Sequence, residues 1–107
     1  MSEAPARRAA GEVSLLARCP DLPGAELVAE GLADLQARRE SDAALLVSMA
    51  APRLRLLGIP VAAPFDDPEA HLFDRLAARH GDAAHGRFNA LVRRIVSFAR
   101  AAALCAR

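Results

Sequence analysis

The stretch "AAHGRFNALVRRIVSFARAAALCA", residues 83–106, carries the clearest periodicity in the chain. Ala84, Phe88, Leu91, Val92, Ile95, Phe98, Ala99 and Ala102 recur at three- and four-residue spacing, the interval that returns side chains to one face of an α-helix. The spacing predicts one long helix whose apolar side other elements must cover. Its polar side is wholly basic, because from residue 83 onward there is no acid, while Arg87, Arg93, Arg94, Arg100 and Arg107 spread opposite the stripe.

Working outward, "PEAHLFDRLAARHG" (68–81) presents Leu72, Phe73, Leu76 and Ala77 and is expected to stop at Gly81. Pro68 suits a first helical position, with Asp67 as its cap, and Asp82 is a natural N-cap for the last helix. Before it, Pro60, Pro64 and Pro68 make "IPVAAPFDDP" an extended connector. "AALLVSMA" (43–50) is apolar nearly all round, as a central helix is, and Ser41 and Asp42 are positioned to cap it. Pro52 removes a helix donor and crowds the preceding turn, so a kink or restart is expected there, with "PRLRLLG" closed by Gly58. From Ala25 to Arg39, Leu27, Val28, Gly31, Leu32 and Leu35 fall on one arc. Gly31 inside that arc costs about 1 kcal/mol relative to Ala in an exposed helix, which points to close approach by a neighbouring helix or to simple tolerance. A weaker helix is expected over residues 4–18, ended by "CPDLPG".

The pattern predicts an all-α fold: one helical domain over residues 1–107, a compact bundle of four main helices with a short N-terminal helix and a Pro-rich connector. Composition agrees. Apolar residues make up 53%, with four Phe and no Trp or Tyr, so the core must be Leu, Val, Ala and Phe. Good helix formers abound and strand-like alternation is absent.

A net charge of +1 gives no strong global attraction to nucleic acid or acidic membranes. No signal-peptide h-region and no window near the roughly 20 apolar residues of a membrane span are present, so a cytoplasmic protein without membrane contact is expected. Cys19 and Cys105 match neither zinc spacing nor a disulfide framework and read as reduced thiols. Glu26, Glu30 and Asp34 form an acidic column at four-residue spacing, complementary to the basic face of the last helix. The two surfaces read as solvated faces paired within the bundle, as a contact between subunits, or as an anion-binding face. Nucleic acid is the weaker partner, since Lys and stacking aromatics are missing.

Chemistry concentrates around "ARHGDAAHGRFNALVRR" (78–94). His71, His80 and His85 lack the Glu-x-x-His and His-x-x-x-His spacings that place two ligands on one helical face, so no metal is expected. His71 falls on the exposed side. His80 lies at a helix C-terminus, where an imidazolium suits the dipole. His85 opens the last helix with Asn89 one turn on, within reach of a hydrogen bond that fixes its tautomer. His80, His85, Asn89 and Arg93 are therefore the candidate binding residues. No Gly-rich phosphate loop or nucleophile elbow is present, no cofactor is expected, and an enzyme of a familiar class is not.

Arg79, His80 and His85 in "RHGDAAHGRF" resemble the signature of HEPN domains, an Arg and a polar residue followed after three to five positions by His. HEPN domains are helical modules of about this size found among toxin–antitoxin RNases and nucleotide-binding proteins. The resemblance implies that Arg79 holds a scissile phosphate and His85 serves in acid/base transfer, in a cleft formed by two subunits. It spans seven positions, Arg75 with His80 meets the same spacing, and Gly81 and Asp82 interrupt it. An RNase of this kind, or an inactive relative, is thus the alternative. The leading expectation is a small cytoplasmic helical protein, homo-oligomeric or bound to a protein partner, acting as a binding or regulatory module through its helix surfaces.

Overall fold

The computed structural model describes residues 18, 19 and 21–105 and contains helices and turns but, among the described residues, no strand. Helix α1 spans Ala25–Gln36, α2 Asp42–Met49, α3 Ala51–Leu56, α4 Pro68–His80 and α5 Ala84–Cys105, with a 3-10 turn over Gly81–Ala83. The four main helices are α1, the broken pair α2 and α3, α4, and α5. The expected N-terminal helix lies, apart from Arg18, outside the described residues.

Helix α2 is the hub. Ala43 through Ser48 are all buried, and α1, α4 and α5 pack around it. Val28, Leu45, Leu46, Val47, Leu54, Ile59, Leu72, Leu76 and Phe98 form the fully enclosed centre. Each such aliphatic side chain contributes on the order of 1.5–3 kcal/mol by leaving water. On α5, Ala84, Ile95, Phe98, Ala99 and Ala102 are buried, whereas Phe88, Leu91 and Val92 are half-covered.

Local chemistry explains most boundaries. Ser41 accepts the Ala44 N–H at 3.1 Å and starts α2. Pro52 sits in the first turn of α3, so the restart falls where its missing donor does least harm. Gly58, at φ 87°, closes α3 with paired bonds from Gly58 N–H to the Arg55 carbonyl and Ile59 N–H to the Leu54 carbonyl. Gly31 is a close approach: a Cβ there would come within 3.0 Å of the Ala43 carbonyl and of Val47.

Several expectations are corrected. Helix α1 stops three residues before Arg39, because Arg38 takes a left-handed conformation at φ 57°. Arg38 N–H then bonds the Leu35 carbonyl and Arg39 N–H the Asp34 carbonyl. The cost for a non-glycine residue, roughly 1–2 kcal/mol, is offset because the Arg38 guanidinium donates to the Ala63 carbonyl at 2.6 Å and stacks 4.4 Å from the Phe65 ring centroid. Asp67 stands at the N-terminus of α4 in a left-handed conformation, and its side chain caps nothing. Asp82 lies inside the 3-10 turn instead of capping α5. Cys19 and Cys105 are not free thiols: they are bonded to each other, with Cα atoms 6.5 Å apart, and tie the segment before α1 to the end of α5.

The Pro-rich connector is held by three polar side chains. Besides Arg38, Ser48 accepts the Phe65 N–H at 3.0 Å while donating to the Ala44 carbonyl at 2.8 Å. Arg55 donates to the Val61 carbonyl from Nε at 3.0 Å and from its terminal nitrogen at 2.6 Å. No described helix is long and apolar enough to cross a membrane.

Candidate functional site

The residues singled out between 79 and 93 do not converge on one site. Arg79 donates to Asp42 at the start of α2, and Arg75 donates to the other Asp42 oxygen at 3.0 Å. Partial burial works against the Asp42 carboxylate, but the hydrogen bonds and charges of Arg79 and Arg75 outweigh it and hold its pKa below the ordinary value. The pair fastens the C-terminal half of α4 to the N-terminus of α2, where an acid also suits the helix dipole. Arg93 is exposed on α5 beside Arg94, Pro23 and Gly24. His80 ends α4 half-buried.

His85 and Asn89 do share a site. They line an open hollow of about 400 Å³ with Phe88 of α5 and with Asp67, Glu69 and Phe73 at the N-terminal half of α4. The 3-10 turn at Gly81–Ala83 leads from α4 into α5, the two helices pack against each other, and Phe73 meets α5 at His85 and Phe88. The Phe73 and His85 rings meet edge to face, centroids 6.2 Å apart at 70°, and the Phe73 and Phe88 rings lie 6.0 Å apart at 58°. Both His85 and Asn89 are exposed, and no hydrogen bond joins them, so the expected tautomer lock is not formed.

Two phenylalanine rings, an imidazole and two carboxylates thus line one recess. Its chemistry suits a flat or spherical cation, which ring quadrupoles attract and carboxylates neutralise. Among the described residues no three ligand-type side chains gather to hold a metal. Within one chain Arg79, occupied by Asp42, does not line the hollow that contains His85.

Sequence reading missed Asp67, Glu69 and Phe73 as members of this site. A signal was present: Glu69 stands one turn before Phe73, which places a carboxylate and a ring on one face of the helix. Leu72 takes the core and Phe73 remains 37% exposed. The acidic column is paired only in part with the basic face. Glu26 receives Arg94 at 2.7 Å, whereas Asp34 receives the Ser41 hydroxyl at 2.7 Å and lies 3.5 Å from Arg39. His71 Nδ1 lies 3.0 Å from Glu40 on the outer side of α4.

A second hollow opens further along α5, between it and the α2–α3 junction. Met49, Ala50, Val92, Ile95, Val96 and Ala99 line it, with Arg53 at its edge. Val96 is 40% exposed there. Comparison of the chain with protein-family models, curated proteins and solved structures gave no match.

Proposed function

We propose that this chain is a small helical binding module that takes up an arginine side chain of a polypeptide in the hollow formed by Asp67, Glu69, Phe73, His85, Phe88 and Asn89. The observation that carries the reading is the conjunction of Phe73, Phe88 and His85 rings with two carboxylates in one open recess. A planar guanidinium stacks on aromatic faces and bonds carboxylates in the same pose.

Magnitudes favour a polypeptide over a free cation. An exposed cation–π contact is worth about 0.5–1 kcal/mol and an exposed ion pair about 0–1 kcal/mol. Together they reach a dissociation constant of roughly tens of millimolar at best. Useful affinity therefore needs apolar contact nearby, and the hollow at Val92 and Val96 supplies it one to two turns along α5. Such a module acts through its helix surface, as binding and regulatory proteins do.

The test is a titration followed by NMR with a capped peptide holding one arginine among aliphatic residues, against the same peptide with neutral citrulline. Resonances of His85, Asn89 and Phe73 shift with the arginine peptide and stay with the citrulline one. Equal responses, or none at millimolar peptide, overturn the reading.

A further inference from the structure

A third hollow, of about 250 Å³, lies between the end of α1 and the connector. Leu32 and Leu35 line it from α1, Pro60 and Val61 from the connector, and the exposed Gln36 and Arg38 stand beside them. It shares no residue with the hollow at Phe73 and His85, and its character is opposite. No acid lines it, and its one charged side chain is Arg38.

Arg39, Arg75, Arg79 and Arg94 each pair with a carboxylate. Arg38 has no acid partner among the described residues, yet its guanidinium is fixed from two directions. Nη1 donates to the Ala63 carbonyl at 2.6 Å, and the guanidinium carbon lies 4.4 Å from the Phe65 ring centroid. These contacts leave the edge formed by Nε and Nη2 without an acceptor among the described residues. Arg55 spends that same edge on the Val61 carbonyl. On Arg38 it remains a fork of two N–H donors, which a carboxylate accepts with both oxygens.

The walls are held as well. Arg55 fixes Val61, Arg38 fixes Ala63, and the Pro60 ring locks its own φ. Arg38 at φ 57° and Ala63 at φ 53°, two of the three left-handed non-glycine residues among those described, both line this hollow. Such conformations persist only where their surroundings over-determine them, and they gather at ligand clamps. A charge without a countercharge, immobilised beside an apolar wall, meets an anion without first having to be ordered.

We infer that this hollow binds a small aliphatic carboxylic acid, its chain against Leu32, Leu35, Pro60 and Val61 and its carboxylate on the open edge of Arg38. A cavity of about 150 Å³ accepts benzene, so a volume of about 250 Å³ admits roughly ten non-hydrogen atoms. That size suits a short acid and not a long-chain lipid.

An NMR titration of the intact, oxidised chain at neutral pH with hexanoate, against its uncharged isostere hexanamide, tests this. Hexanoate shifts the methyl resonances of Leu32, Leu35 and Val61 and the Ala63 amide, with a dissociation constant of about a few millimolar. Hexanamide binds about fivefold more weakly or worse, because it lacks the charge-assisted bonds. Gln36→Glu, at an exposed position, sets a carboxylate in the hollow; it weakens hexanoate severalfold by like-charge repulsion and leaves hexanamide unchanged. Arg38→Gln removes the difference between the two probes; should it also loosen the connector, Gln36→Glu decides. Equal binding of the two probes, no response at about 50 mM hexanoate, or hexanoate binding indifferent to Gln36→Glu overturns the inference. Shifts confined to Val92 and Val96 assign the acid to the hollow on α5 and overturn it too.

Discussion

Gly31 of α1 lies against Val47 of α2 so closely that a single added methyl at position 31 would come within 3.0 Å of it and of the Ala43 carbonyl. Backbone cannot move aside as a flexible side-chain tip can. Gly31→Ala therefore trades a gain of about 1 kcal/mol in helix propensity against an overpacking cost of about 1–3 kcal/mol or more. The clash falls on a carbonyl of the central helix, so the cost wins. Thermal unfolding should show a lower midpoint for Gly31→Ala, by several degrees; a raised midpoint would refute the close-packing account.

Ser48 links the centre of the fold to the connector. Ser48→Ala leaves the Phe65 N–H without its acceptor, and an unsatisfied partly buried donor costs about 1–3 kcal/mol. The expected signature is local as well as global: hydrogen exchange at the Phe65 amide accelerates beyond what the loss of overall stability explains. Unchanged protection at Phe65 would mean that another group holds the connector.

Asp42 makes stability depend on acid. Its pKa is lowered in the fold because the hydrogen bonds and charges of Arg79 and Arg75 prevail over partial burial. The folded state thus binds its proton less readily than the unfolded chain does. The stabilising contribution is complete above the ordinary value of 3.8 and is withdrawn as pH falls through the lowered folded value. Urea unfolding between pH 5 and pH 2 should show a decline that Asp42→Asn flattens. An equal decline in both proteins would assign the acid sensitivity to other carboxylates.

The bond between Cys19 and Cys105 closes a loop over a sequence separation of 86 residues. In the chain-entropy treatment such a cross-link disfavours the unfolded chain by about 4–5 kcal/mol. Denaturant unfolding of Cys105→Ser, or of the wild type with a reductant, should shift to lower concentration by a large fraction of the total stability. Alkylation of the unfolded, unreduced chain should label neither cysteine; labelling of both would show the thiols to be free.

What could be read from the chain beforehand was local in origin. Pro52 broke the second helix, Gly58 ended its continuation, Ser41 capped its start, and the row from Ala84 to Ala102 marked the buried side of α5. Each follows from a residue's own backbone preference or from neighbours within one turn. Arg38 was not legible as a helix stop, because its left-handed conformation is offset by Ala63 and Phe65, 25 and 27 positions away. Asp67 and Asp82 have the right chemistry for caps, yet the turns around them aim their side chains elsewhere.

The candidate site divides the same way. The sequence by itself determined that His85 and Asn89 share one flank of a long helix, since helical periodicity alone places them a turn apart. Only the tertiary structure decided that Phe73, Asp67 and Glu69 join them, that Arg79 is claimed by Asp42, and that Cys19 meets Cys105. The physical reason is one of range: dihedral preference and periodicity act within a few residues, whereas contacts between helices depend on how the whole chain buries its apolar surface at once.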